Sequence, residues 1–312
     1  MVEKIPSVLL QDWQSQPLEW KIERSKLRIK QFYERLNGQV YVAFSGGKDS
    51  TVLLHLVRSL YPNVTAVFVD TGLEFPEIKE FVKTIDNVIT LRPKMGFREV
   101  LEKYGYPVIS KEVSMAISRY RETKNPGIKN FRLTGNHPDG RTGLTMGVIP
   151  KKYQYLINAP FKISDTCCDI MKKRPMNHYE KTTRTHPFIG IMASDSRRRR
   201  QEFLANGCNT FNEKHISGKP LGFWLEEDVW NYIRKYNIPY SKIYDMGERR
   251  TGCMFCMFGL GYDGCPNRFQ RMKNTHPQLW DYCMDKLGLQ RVLDYMGEES
   301  GRDKYLEQQT LV

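Results

Sequence analysis

No apolar run in this chain approaches the roughly 18 residues that a membrane-spanning helix requires. Repeats and low-complexity tracts are also missing, so solenoid and fibrous architectures are excluded. The chain opens on charged Met1-Val2-Glu3-Lys4 rather than on an apolar leader, so a cytoplasmic location without membrane attachment is expected. In that compartment thiols stay reduced, and the seven cysteines are expected to bind metal rather than form disulfides. Acids are in short supply, with 35 Asp and Glu against 48 Lys and Arg, a net charge of +13. Such an excess points to an anionic partner, although no recognisable nucleic-acid-binding module accompanies it. The Walker phosphate loop, Gly-x-x-x-x-Gly-Lys-Ser/Thr, is absent as well.

A different phosphate loop is present. Val40-Tyr41-Val42-Ala43-Phe44 reads as a strand, Thr51 to Leu60 as a helix, and Ser45-Gly46-Gly47-Lys48-Asp49-Ser50 joins them. Two glycines allow a tight turn that aims backbone N–H groups at phosphate oxygens, and the helix adds the positive end of its dipole. Lys48 supplies charge, Ser45 and Ser50 supply hydroxyls, and Asp49 is suited to hold Mg²⁺. The loop resembles the PP-loop of the N-type ATP pyrophosphatases, which split ATP between its α and β phosphates. That resemblance implies ATP as ligand and Lys48 and Asp49 as the catalytic pair.

Val64 to Val69 reads as the next parallel strand, with a loop at its carboxyl end where ligands sit in such sheets. Phe68-Val69-Asp70-Thr71-Gly72, continuing to Pro76-Glu77, is similar to a stretch of the phosphoadenosine phosphosulfate (PAPS) reductase family. The similarity implies base contacts at Phe68 and Val69, and ribose-side or loop roles for Asp70, Thr71 and Gly72. Downstream, Pro220, Trp224, Asp228, Val229 and Trp230 match a second segment of that family, read here as a core helix with Glu227 and Asp228 in its first turn. A third segment, Gly190 to Arg200, resembles the loop and helix by which family members grip a phosphate or sulfate. Gly190, Ser196 and Arg199 match and are carried over as nucleotide contacts, with Asp195 in place of the usual Glu and Met192 in place of the usual Arg; Arg197 and Arg200 read either as further contacts or as a solvated helix face.

Cys253-Met254-Phe255-Cys256 is followed by Cys265, and the adjacent pair Cys167-Cys168 ends 85 positions before Cys253. This arrangement resembles the [4Fe-4S] ligand pattern of assimilatory adenylyl-sulfate reductases, with Cys265 as an addition. Cys168, Cys253 and Cys256 are the implied ligands, together with either Cys265 or Cys167. A Zn²⁺ knot is the competing reading, because four-cysteine spacings alone do not separate the two metals. Cys208 and Cys283 are isolated and read as buried residues. No cysteine follows Cys283, so the nucleophilic Glu-Cys-Gly tail of sulfonucleotide reductases has no counterpart in these residues.

The expected fold is α/β, a Rossmann-like, adenine nucleotide alpha hydrolase-like parallel sheet with helices on both faces and a helical, cysteine-rich C-terminal cap. The expected division is an N-terminal helical segment over 1–37, a nucleotide-binding domain over 38–223 and the cap over 224–312. The charged helix from about Leu18 to Leu36 is expected to pack on the outer layer or on a second copy in a homodimer. Residues 124–152, carrying Lys129, Arg132, Arg141, Lys151 and Lys152 against the single acid Asp139, read as a long mobile loop over the site. The resemblance implies an ATP pyrophosphatase with an iron-sulfur cluster acting in sulfur transfer, supplied by a sulfur or electron donor protein and serving an acceptor such as RNA or DNA. A sulfonucleotide reductase using a partner's thiol is the second reading. The third is a non-catalytic nucleotide sensor with a structural cluster.

Overall fold

The computed structural model describes residues 4–212 and 215–302. Its strands are β1 (Val40–Ala43), β2 (Ala66–Val69), β3 (Val88–Leu91), β4 (Val108–Ile109), β5 (His186–Ile189), β6 (Asn209–Asn212), β7 (His215–Gly218) and β8 (Met257–Phe258). Contacts divide the described residues into two units. One takes the residues up to Asp70, Glu74–Arg92 and Pro175–Thr251; the other takes Thr71–Leu73, Pro93–Arg174 and the residues from Gly252 on.

The first unit holds a six-stranded sheet in the order β3-β2-β1-β5-β7-β6. All neighbours are parallel except the β6–β7 edge pair. The central strands are short apolar runs without polar alternation, as expected where helices cover both faces of a parallel sheet. Val42 pairs with Ala66 on one side and Phe188 on the other. From β1 the chain builds outward through β2 and β3 and later adds β5 on the opposite side of β1. The carboxyl end of β1 is therefore the topological switch point, where open α/β sheets bind ligands.

The helix Leu18–Arg35 buries Ile22, Ser25, Ile29 and Phe32, one stripe at helical spacing, and Phe32 meets Phe188 with ring centroids 4.9 Å apart. Ser25 Oγ donates to the Pro220 carbonyl and accepts from Trp224 Nε1, both at 2.9 Å. Lys21 Nζ pairs with Asp228 at 2.7 Å, both side chains buried. Asp228 also accepts from the Leu225 N–H at 2.7 Å, capping the helix Glu226–Tyr236. The Trp and Asp of the Pro220 to Trp230 motif therefore tie that helix to Leu18–Arg35.

The second unit is mainly helical, with β4 and β8 as a short parallel pair. Its Arg121 guanidinium donates to four carbonyls, those of Leu156, Ile157, Ala159 and Phe161, at 2.6 to 3.0 Å. Residues 124–152 correct the expectation of one long loop, because Pro126–Thr134 is a helix. Asn125 caps it through Gly127 N and Ile128 N, Pro126 takes the first turn where no N–H is needed, and Gly135 ends it at φ 82°.

Candidate functional site

After β1 the chain turns through Ser45, Gly46 and Gly47 into the helix Lys48–Arg58. Gly46 sits at φ 73°, and a Cβ there would come within 2.9 Å of methyls on Ile78 and Val82. A Cβ on Gly47 would stand 2.5 Å from Thr251 Oγ1. Each glycine is thus needed for close approach, on opposite walls of the turn. Ser50 Oγ donates to the Gly47 carbonyl at 2.9 Å, accepts from Ser45 N at 3.2 Å and lies 3.0 Å from Ser45 Oγ. The serines therefore hold the loop closed around its own backbone.

Lys48 is 5% exposed, with Nζ 3.4 Å from Asp49 Oδ1 and 3.2 Å from Glu226 Oε1. Burial works to lower its pKa, yet the charge of Asp49, with Tyr244 and Glu226, carries it above its ordinary value. Burial raises the Asp49 pKa; Lys48 opposes that shift, and the nearby charges of Asp195 and Glu226 add to it. Asp49 Oδ1 is buried without a hydrogen bond. A buried carboxylate oxygen that has the Lys48 charge nearby but no hydrogen bond suits a divalent cation. The Lys48 N–H, free at the helix start, donates to the Tyr244 hydroxyl at 2.8 Å, and that hydroxyl lies 3.2 Å from Thr251 Oγ1.

In the second unit, Cys167, Cys168, Cys253 and Cys256 line one cavity of about 20 Å³ with Leu73, Phe97, Pro107, Met171 and Lys172. Cys265 is exposed and not among the lining residues. The hydrogen bond from Cys167 lowers the Cys168 thiol to about 6 against the effect of burial, with Lys111 and Lys172 adding positive charge. The same bond pushes Cys167 up, together with burial, and burial raises Cys256. Among the described residues no three His, Cys, Asp or Glu side chains are arranged to hold a metal ion. In kind, however, the residues fit a thiolate-bound metal: four cysteines line one cavity, the Cys168 thiol is lowered, and Lys111 and Lys172 lie near it to balance negative charge.

The phosphoadenosine phosphosulfate reductase domain matches residues 39–122 and 143–258, spanning the loop, both strands flanking β1 and all four cavity cysteines. The chain belongs to that family. It is 27% identical over 277 residues to an uncharacterised protein of Methanocaldococcus jannaschii, an alignment covering 86% of this chain. The chain spans 53% of that relative's length. It is 25% identical over 250 residues to the adenosine 5'-phosphosulfate reductase of Lysinibacillus sphaericus, covering 78% of this chain and 86% of that one. Among solved structures, the phosphoadenylyl-sulfate reductase of Candida auris in a phosphate complex aligns with TM-score 0.44 and 14% identity, over 81% of this chain and 98% of that one.

The other residues carried over from the PAPS reductase family are placed as follows. Gly190 lies against the loop, since a Cβ there would stand 3.0 Å from the Asp49 carbonyl. Ser196 caps the helix Arg197–Asn206 by accepting from Arg199 N at 3.2 Å. Arg199 pairs with Asp195, Arg200 Nη2 donates to Ser7 Oγ at 2.6 Å, and Arg197 is exposed. Met192 is 2% exposed, so the position at which the resemblance implies an Arg is an apolar core site here. Phe68 is buried in β2, Val69 ends that strand, and Asp70 pairs with Lys79 at 2.9 Å. In the second unit, Thr71 Oγ1 accepts from Leu73 N at 3.2 Å, and Gly72 has φ 78°. Sequence reasoning missed Glu226, Tyr244 and Thr251. The signal for two of them was position, since Tyr244 and Thr251 stand just before Cys253 within the family match.

Proposed function

We propose that the protein binds Mg-ATP at the Ser45 to Ser50 loop, cleaves it to AMP and pyrophosphate, and uses the activated product in sulfur transfer to a polyanionic acceptor such as RNA or DNA. The observation that carries this reading is Lys48, a buried ammonium at a helix N-terminus faced by two carboxylates, one of which has a buried oxygen without a hydrogen bond. An acceptor oxygen attacks the α phosphorus, the bond to the bridging oxygen breaks and the electron pair leaves with pyrophosphate; a sulfur nucleophile then bonds to the acceptor carbon as the adenylated oxygen leaves with AMP. Lys48 and the N–H groups of Gly46, Gly47 and Lys48 stabilise the charge that develops on the leaving group, in a site whose dipoles are already oriented. Mg²⁺, held by Asp49, would neutralise phosphate charge. Cys167, Cys168, Cys253 and Cys256 would hold the metal group of the second unit, [4Fe-4S] or Zn²⁺, and an iron-sulfur group would supply sulfur or electrons.

Pyrophosphate release from ATP, measured in wild type and in Lys48→Ala, tests the reading. Release by the wild type that is lost in the variant supports it; equal turnover in both removes it. A second reading, reduction of an adenylyl sulfate with a partner thiol, is favoured by the named activity of the Lysinibacillus sphaericus relative. Sulfite release from adenylyl sulfate, without pyrophosphate release from ATP, would select it. For the cysteines, Cys253→Ser and Cys256→Ser are expected to lose most of the bound iron or zinc, and full metal occupancy in both would exclude this ligand set.

A further inference from the structure

A second cavity lies in the first unit, of about 740 Å³, away from the phosphate loop. Its walls are the helix Leu18–Arg35, the segment from Lys4 to Trp13, and the edge strand β6 with the residues before it. Lys4, Arg24, Arg28 and Arg35 face it, and no acid is among its described lining residues. Arg24, Arg28 and Arg35 recur at the spacing of one helix face, spanning about 16 Å of helix axis. Like charges four residues apart destabilise a helix, so this face carries a standing cost in the free protein.

Arg24 and Arg35 are held in place by rings, and Arg28 Nη1 donates to the neutral Gln31 Oε1 at 2.9 Å. Arg24 lies 3.8 Å from the Trp13 ring centroid and 5.0 Å from that of Trp20, and Arg35 lies 4.3 Å from that of Phe211. Arg24 Nε and Arg28 Nε are buried without a hydrogen-bond acceptor. Partial burial and, after it, the neighbouring charge of Arg28 depress the Arg24 pKa. Elsewhere in the unit, buried cations have partners, Lys21 with Asp228 and Lys48 with Asp49 and Glu226. Among the described lining residues, what these arginines lack is a set of negatively charged acceptors spaced along a line.

We propose that this groove is a binding site for the phosphate backbone of a single nucleic-acid strand, with Arg24, Arg28 and Arg35 each taking a phosphate. One small anion would satisfy one guanidinium; a strand supplies consecutive phosphates along the length of the helix face. The site shares only the acceptor class with the function proposed above and does not depend on the chemistry at the phosphate loop. Two of the arginines expected to contact a polyanion from residues 124–152 are engaged within that segment. There Arg132 is buried with Nη1 on the Gly147 carbonyl at 2.6 Å, and Arg141 pairs with Asp139 at 2.6 Å.

The test is anisotropy of labelled single-stranded RNA and DNA oligonucleotides with the full chain over a series of salt concentrations, without ATP. Wild type is compared with Arg24→Gln/Arg28→Gln/Arg35→Gln and with Arg35→Gln alone, the latter at an exposed position where folding is not in question. The triple variant is expected to bind about a hundredfold more weakly, with a log–log salt slope shallower by about 2, and the single variant to fall between. ATP binding should be unchanged in both, which separates this site from the phosphate loop. Unchanged oligonucleotide affinity and slope in Arg35→Gln and the triple variant would overturn the proposal. So would displacement of the oligonucleotide by stoichiometric pyrophosphate, or tight binding of poly-glutamate where oligonucleotides fail to bind.

Discussion

Lys21, Lys48 and the Arg24–Arg28 pair are buried or half-buried cations of one unit, and they differ in the company they keep. Lys21 has a single buried acid, Asp228, with which it closes a fixed contact between two helices. Lys48 has two, one more than its charge requires, and one of them, Glu226, is 56% exposed. The arginines have none among the described lining residues. A buried charge must be compensated, so the compensation found reveals what the site is for. On the roles proposed above, one fixed acid goes with a structural cation, an excess of acid with a site that takes metal and phosphate, and the lack of acid among the described residues with a site whose anion arrives from outside.

The largest effect that could break this comparison is at Lys48. Lys48→Ala and Asp49→Ala are each expected to lower pyrophosphate release by about a thousandfold, since each removes charge stabilisation from the leaving group rather than from the fold. Thermal unfolding should shift little in either variant. If the variants unfold instead, Lys48 belongs with Lys21 as a structural cation and the distinction fails.

Asp228→Ala probes the opposite case. It leaves Lys21 buried without its partner and uncaps the helix at Leu225, so a loss of about 3 to 5 kcal/mol in unfolding free energy is expected by denaturant titration. A change below about 1 kcal/mol would mean that Lys21 reaches water in the variant, and that the pair does not fix the two helices. Asp228→Asn should recover part of the loss, because the amide oxygen can still accept from Leu225 N–H.

The three sites were not equally legible in the sequence. The Ser45 to Ser50 loop is contiguous, and its residue types follow from local backbone demands, so its strand, turn and helix were readable from a dozen neighbouring letters. The cavity shared by Cys167, Cys168, Cys253 and Cys256 was readable because cysteine is rare and its spacing carries information; Cys265 has the same letter, yet it lies exposed and apart from that cavity. Residues 124–152 were misread as loop because their glycines and prolines suggested breaks, whereas Asn125, Pro126 and Gly135 delimit a helix. The arginine groove was visible only as half a pattern. The spacing of Arg24, Arg28 and Arg35 is in the sequence, but the edge strand and the segment near Lys4 that complete it come from the topology. The partners of Lys48 illustrate the same limit, since Glu226 and Tyr244 lie far along the chain and no local rule joins them to the loop.

The smallest effect sharpens the comparison within the phosphate loop itself. The Tyr244 hydroxyl accepts the Lys48 N–H at 2.8 Å, so it holds a donor that a phosphate oxygen would use. On the proposed function, ATP would displace that hydroxyl, at the cost of about one neutral hydrogen bond, while gaining a charge-assisted one. Tyr244→Phe removes the competitor and keeps the ring beside Lys48, whose Nζ is 5.8 Å from its centroid. ATP affinity is therefore expected to tighten about threefold to fivefold, measured by calorimetry with Mg²⁺ present, whereas Lys48→Ala weakens it. A loss of affinity in Tyr244→Phe would assign the hydroxyl the opposite role, that of a ligand to the bound phosphate, and Thr251→Ala, which leaves the Tyr244 hydroxyl without its 3.2 Å neighbour, should then show the same sign.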